Sequence, residues 1–315
     1  MSTLHVNSAF GDDERRRRLY GGEIFVFTPR PSTLAVVKFA REMLAEAFAP
    51  LDPEIAQHEL AVERFVEIFA PVKPAFIHNP RTRELLHAMF EDFGCDLAET
   101  YIDVPRLRGV TSDAYLTAGV GYAHHPHRDT WYSAPFTQFN WWMPLCTFDS
   151  SSALSFHPRY WSQPLMNGSQ GFDYYEWNAV GRKDASKHVT VDTRKQPKAE
   201  EPVETEPDVR VVCEPGGIVL FSGAQLHSTY PNVTGRTRFS IDVRTVHRGD
   251  LEHGIGAPNV DSAPRGTSLR DFLRGSDRSA LPEALVARYD TGHETGGGRE
   301  GVLVFRPEET TGRTA

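Results

Sequence analysis

Three stretches in the first third of the chain place apolar residues at helical spacing. Leu34, Val37, Phe39, Met43, Leu44 and Ala47 recur every three or four positions after Pro29 and Pro31, predicting a helix capped by Ser32. Ile55, Leu60, Val62, Phe65, Val66 and Phe69 predict a second near 54–69. Leu85, Leu86, Met89 and Phe90 predict a third near 80–93, ended by Gly94. Ahead of them, Glu23–Phe27 is a short β-prone run. From about residue 98 the texture changes. Short β-prone runs recur at 99–104, 113–122, 134–145, 152–156, 208–213, 217–222 and 236–246, punctuated by Gly and Pro. Short, irregularly spaced strands with turn signals indicate a sandwich or jelly roll. The expected fold is mainly β with flanking helices: one domain over 21–290, with a helical part at 30–95 and a jelly-roll core at about 98–250.

Other segments depart from this pattern. Residues 181–208 are polar and cannot bury much surface, so they predict a mobile or lid-like insertion. Residues 1–20 read as a mobile arm, with the Arg15–Arg18 run solvated behind Asp12, Asp13 and Glu14. Residues 266–275 and 281–289 read as short helices. The tail at 291–315 holds one apolar run, Val302–Phe305, suited to a sheet edge.

Charge and cysteine content narrow the function. A net charge of −8 argues against nucleic acid, which usually requires a basic face. Cys95, Cys146 and Cys213 have neither the even count nor the spacing of a disulfide framework or a CxxC metal site, and read as buried free thiols. No apolar run approaches the ~18 residues of a membrane span, and the first residues lack a signal-peptide pattern. A cytoplasmic protein without a membrane partner is expected.

The chemistry concentrates in Gly121–Thr130. On an extended chain His127 and Asp129 point to one face, so an imidazole and a carboxylate can reach one metal. His125 shares that face and is the alternative to His127. A third ligand is available in His227, which follows Pro215-Gly216-Gly217 and the apolar run Ile218–Phe221. Two histidines and one carboxylate leave metal positions open, the arrangement of non-haem iron(II) oxygenases. Eleven residues beyond His227, alternation puts Arg236, Arg238, Ser240, Asp242 and Arg244 on one polar face of a strand. An arginine there can clamp a carboxylate through paired hydrogen bonds; position favours Arg238 over Arg236 and Arg244.

His-x-Asp, a Gly-Gly-apolar strand ending in His, and the following Arg together resemble the iron(II)/2-oxoglutarate-dependent oxygenases. The similarity looks closest to the phytanoyl-CoA hydroxylase-like branch, over roughly 99–246. The resemblance implies a double-stranded β-helix, a jelly roll of the cupin type. It implies iron(II) on His127, Asp129 and His227, 2-oxoglutarate on Arg238, and dioxygen as oxidant. A second polar contact to 2-oxoglutarate is expected from Gln138 or Asn140, which share a face. Asp129 stands where related halogenases have a small residue, so halogenation is not expected. The segment Ser151–Trp161 keeps the family's apolar strand and Pro but not its Gly-Ser-His, so the substrate-side loop departs from the family's pattern.

The expected reaction is oxidation of an unactivated C–H bond of a small molecule, an amino acid or secondary-metabolite intermediate, by hydroxylation or related desaturation or cyclisation. His125, Arg128, Trp131, Trp142, His157 and Arg244 are the candidate substrate contacts. Arg128, Arg159 and Arg244 would suit a carboxylate-bearing substrate. Two alternatives remain: a cupin-like metal-binding isomerase or binding protein without 2-oxoglutarate chemistry, and an oxygenase that draws electrons from its substrate alone. A simple metal cupin does not require Arg238.

Overall fold

The computed structural model describes residues 3–118, 125–181, 194 and 196–292. His124, much of the polar insertion and most of the C-terminal tail, including Val302–Phe305, lie outside these residues. The helical part forms as expected: α2 (Pro31–Phe48), α3 (Val62–His78) and α4 (Pro80–Asp92). Helix α2 opens on Pro31 with Arg30 at the cap position, and Ser32 instead bonds Asp92 from inside the first turn. Proline at the first helical position loses no intrahelical hydrogen bond.

Two sheets face each other as a jelly roll. The larger runs β1 (Leu4–Val6), β2 (Ile24–Phe27), β8 (Ile218–Ser222), β5 (Phe139–Pro144), β10 (Arg238–His247), β3 (Thr100–Ile102) and β11 (Leu273–Arg274), with β4 (Arg106–Val110) also pairing β10. The smaller runs β7 (Val209–Val211), β6 (Leu154–Phe156) and β9 (His227–Thr229). Strand alternation sorts the residues of the larger sheet. Phe139, Trp141 and Met143 of β5, Ile218 and Leu220 of β8, and Phe239, Ile241 and Val243 of β10 pack against the helices. The opposite faces turn inward, where Trp142, Val219 and Phe221 meet Leu154, Phe156 and Val211 of the smaller sheet. Strand β5 is buried along its whole length because both faces are covered.

The structure departs from expectation in four places. Residues 3–20 are not a loose arm: β1 pairs in parallel with β2, and Asp12–Tyr20 form helix α1. The arginine run is not solvated throughout. Arg16 bonds Asp12, Asp13 and Asp250, and the Tyr20 hydroxyl donates to Asp250 at 2.7 Å. The acidic residues before the run are the i,i+3 and i,i+4 partners of its arginines. Strand β4 was not anticipated, whereas the described part of 113–122 is turn and coil. Residues 266–275 form a single tight turn at Ser268–Asp271 and then β11. Among the described residues, no helix is long and apolar enough to cross a membrane.

Candidate active site

His127, Asp129 and His227 converge in the interior, each buried, with potential ligand atoms all within 4.8 Å of one another. Backbone pairing sets this convergence. The amides of His127 and His227 each donate to the other's carbonyl at 3.0 Å, so the two histidines form an antiparallel bridge beside β9. Asp129 is not on a strand but begins a short 3-10 turn, Asp129–Tyr132. Its amide donates to Gly223 O at 2.9 Å, and Gly223 N donates to Gln138 O at 3.0 Å. A Cβ at Gly223 would lie 3.1 Å from Gln138 Nε2 and 3.4 Å from Asp129 Cβ. Gly223 therefore permits the close approach that seats the carboxylate.

Hydrogen bonds around the triad prepare it for a metal. His127 Nδ1 lies 2.8 Å from His125 O, and His227 Nδ1 lies 3.0 Å from Gln225 O. A carbonyl accepts only from a protonated nitrogen, so each Nδ1 carries a hydrogen and Nε2 is the nitrogen turned to the metal position. Burial, with neighbouring His127, pushes the pKa of His227 down to about 3, which keeps it neutral. Burial alone would raise the pKa of Asp129. Arg244 and the two histidines outweigh it, and the carboxyl is held well below its ordinary value. Two imidazoles and one carboxylate are the donor set that non-haem iron(II) takes.

The triad opens on a cavity of about 370 Å³, toward the lower end of the ~300–1,000 Å³ common for small-molecule sites. The inner face of β10 lines it with Arg238, Ser240, Asp242 and Arg244. Arg236 precedes the strand and pairs with Glu54 at the surface. Arg238 is buried over the Trp142 ring, 5.4 Å from its centroid. Its guanidinium bonds Ser152 O, its Nε has no hydrogen-bond partner, and among the described residues no carboxylate pairs with it. Burial lowers its pKa to about 10.

Gln138 and Asn140 share the expected face and line the cavity, and their amide nitrogens also support the triad. Gln138 Nε2 and Asn140 Nδ2 donate to Asp129 Oδ2 at 3.0 and 2.6 Å. They hold the metal carboxylate, and Oδ1 is left facing His127 Nε2 at 3.6 Å.

Of the candidate substrate contacts, Trp142 and Arg244 line the cavity. The other four are not among its lining residues. Arg128 points away from the triad and is saturated by Asp261 at 3.0 Å, Ala224 O at 2.7 Å and the carbonyls of Tyr160 and Gln163. Trp131 donates to the same Asp261 at 2.7 Å and packs on Tyr160, Leu165 and Leu226. His157 is buried between Ser228 Oγ and Thr205 O. His125 supports His127 through its carbonyl, and its ring contacts Pro197 O at 3.2 Å. Arg159 pairs with Glu204. Lys73, Arg106, Arg108, Tyr132 and Trp177 also line the cavity. The alternation of Arg106 and Arg108 about Leu107 was the available signal for β4's polar face.

A family model described as Phytanoyl-CoA dioxygenase (PhyH) matches residues 40–240. No curated protein matches the chain. Among solved structures, EvdO2 from Micromonospora carbonacea var. aurantiaca is 14% identical, covering 77% of this chain and 93% of its own, with a TM-score of 0.44. AviO1 from Streptomyces viridochromogenes Tue57 is 16% identical, covering 80% and 100%, with a TM-score of 0.38. SnoN, an epimerase solved with Fe3+, alpha ketoglutarate and nogalamycin RO, is 13% identical, covering 75% and 85%, with a TM-score of 0.37.

Proposed function

We propose that this chain, which belongs to the phytanoyl-CoA dioxygenase family and is an iron(II)- and 2-oxoglutarate-dependent dioxygenase, oxidises an unactivated C–H bond of a small molecule, an amino acid or secondary-metabolite intermediate. His127, Asp129 and His227 would hold the iron, which when bound supplies dioxygen activation coupled to decarboxylation of 2-oxoglutarate. The other residues give the chain its own part. The carbonyls of His125 and Gln225 fix the imidazole tautomers. Gln138 and Asn140 anchor one oxygen of Asp129 and so orient the other. Trp142 and Phe221 form apolar wall that limits water at the reacting carbon.

The observation that carries this reading is Arg238. A buried guanidinium without an acidic partner is costly, and it stands in the same cavity as the His127, Asp129 and His227 triad. 2-Oxoglutarate would satisfy both, its distal carboxylate at Arg238 and its keto-acid end at the open metal positions. A metal-binding isomerase has no comparable use for this arginine. Hydroxylation, or the related desaturation or ring closure, is the outcome expected at the substrate carbon.

The test is an anaerobic titration of the apoprotein with iron(II) and then 2-oxoglutarate, watching for the weak visible charge-transfer band of the chelate. The band should appear in the wild type and be lost in His127→Ala. Iron binding without a band would reject the co-substrate assignment and favour a cupin-like role.

A further inference from the structure

Arg244 stands among three carboxylates, one of them a member of the triad. Its Nη1 lies 3.7 Å from Asp103 Oδ2, its Nη2 3.8 Å from Asp242 Oδ2 and its Nε 3.7 Å from Asp129 Oδ2. Each nitrogen of the fork already faces an acid. The guanidinium is one planar, delocalised charge, so it cannot lean toward one acid without leaving the other two. Two of these acids have arginines of their own. Arg106 donates to Asp103 at 2.6 Å, and Arg108 donates to Asp242 at 2.6 and 3.2 Å. The guanidinium that faces Asp129 is Arg244. Lys73 and Arg194 line the cavity as well, and the charge of Lys73 bears on Arg108, Asp242 and Arg194. Arg244 thus links this charged wall to the triad.

Sheet register explains the placement. Arg244 of β10 lies directly opposite Asn140 of β5, and residues opposite each other present their side chains on one face. Both reach Asp129, and both reach the same oxygen. Oδ2 accepts from Asn140 at 2.6 Å and from Gln138 at 3.0 Å and faces Arg244 Nε at 3.7 Å, whereas Oδ1 faces His127 Nε2 at 3.6 Å. The two amides fix where Oδ2 sits. Arg244 adds what they cannot, a full positive charge beside a carboxylate whose other oxygen is turned to the metal position. In a buried site that charge is weakly screened. It opposes any gain of positive charge by a metal on Asp129, and so favours iron(II) over iron(III).

Resting on the assignment of iron to His127, Asp129 and His227, we propose that Arg244 is a positioning residue that acts through Asp129 and not on substrate: it helps hold Oδ2 away from the metal and poises the site toward iron(II). An iron(II)-dependent dioxygenase is idle once its metal is oxidised. A fixed cation beside the metal carboxylate keeps more of the enzyme in its working state. The part suits arginine, whose guanidinium does not lose its charge and can face three acids at once.

The experiment loads the full chain with iron(II) anaerobically, without 2-oxoglutarate, and measures the iron(III)/iron(II) midpoint potential by titration with redox mediators. Arg244→Gln keeps a polar side chain and removes the charge. It should shift the balance toward iron(III) at least about 10-fold, the lower end of what losing an outer partner of a metal ligand commonly costs. For one electron that is a fall of about 59 mV. Arg244→Lys keeps the charge and should recover most of the shift. Arg238→Gln removes another buried charge of the same cavity and should shift the potential less. If Arg244→Gln does not fold, Asp103→Asn carries the test from the other side: Arg244 stays with one acid fewer, and the potential should rise. A merely structural role for Arg244 would lower iron loading in both of its variants and leave the potential of the loaded fraction unmoved. An unmoved or raised potential in Arg244→Gln, no recovery in Arg244→Lys, an equal fall in Arg238→Gln, or a potential that does not rise in Asp103→Asn would overturn the proposal. Failure of the wild type to hold iron, or an iron couple that survives in His127→Ala, would instead reject the metal assignment beneath it.

Discussion

Arg128 and Arg238 are both buried arginines within the jelly roll, and their surroundings are opposite. Arg128 is surrounded by acceptors: the Asp261 carboxylate and three backbone carbonyls. Arg238 has one carbonyl and an unpartnered Nε. The first arrangement is a finished structural joint. It ties the turn that carries Asp129 to the segment around Asp261, and Trp131 and the Leu165 amide bond the same carboxylate. The second is unfinished in the protein alone, and the proposed function completes it with the carboxylate of 2-oxoglutarate. Burial by itself does not separate support from function; the acceptors within reach do.

The largest effect should come from breaking the finished joint. Asp261→Ala leaves Arg128 buried beside carbonyls only, and removal of one partner from a buried pair typically costs about 3–5 kcal/mol. Thermal melting should fall sharply, and iron affinity should fall with it because the Asp129 turn loses its support. An unchanged melting temperature would show that Arg128 is not the clamp inferred from its contacts.

Arg238→Met should behave in the reverse sense. It removes an uncompensated buried charge, so apoprotein stability should hold or rise. The KM for 2-oxoglutarate should increase about 10- to 100-fold, the scale of a lost charge-assisted interaction. Full activity at low 2-oxoglutarate would sink the assignment of Arg238. A loss of stability as large as that of Asp261→Ala would erase the contrast between the two arginines.

Asn140→Leu tests the residues between these extremes. Asn140 lines the cavity, and its amide donates to Asp129 Oδ2. Loss of such a supporting hydrogen bond commonly weakens metal affinity about 10- to 100-fold. Iron affinity should therefore drop while the KM for 2-oxoglutarate, measured at saturating iron, stays near the wild-type value. The opposite pattern would return Asn140 to the co-substrate.

These comparisons also show which parts of the site were readable in the sequence. His127 and Asp129 are two residues apart, and His227 ends a strand marked by its own Pro-Gly-Gly turn, so local spacing was enough to select them. The inner face of β10 was readable because alternation is a local property. The partners were not readable where they lie far along the chain. Asp261 is 133 residues from Arg128, and without it Arg128 and Trp131 looked like substrate contacts beside the metal motif. Asp250 is 234 residues from Arg16, and without it the arginine run looked solvated. For Gln138 and Asn140 the face was right, but nothing local indicated that the turn at Asp129 would bring its carboxylate within their reach. The helices were legible from periodicity, whereas β4 was obscured by two arginines that serve the cavity.

The smallest effect concerns His157, which resembles Arg128 in being buried and satisfied but bears no fixed charge. Burial is the main influence on it and lowers its pKa below the ordinary 6.5, against smaller raising contributions from Thr205 O and the carboxylates Asp208 and Glu206. The folded protein thus resists protonating a group that the unfolded chain protonates readily. Above about pH 6.5 both states are neutral and His157 does not alter stability. As the pH falls through that value the unfolded state takes up the proton first, and stability declines until the lower folded pKa is reached. Melting of the metal-free protein between pH 7 and 5 should show a steeper loss in the wild type than in His157→Gln, whose amide can keep a contact to Ser228 without titrating. Identical slopes would mean that His157 is protonated equally well in both states, and that its burial, unlike that of Arg128, leaves no trace in the energetics.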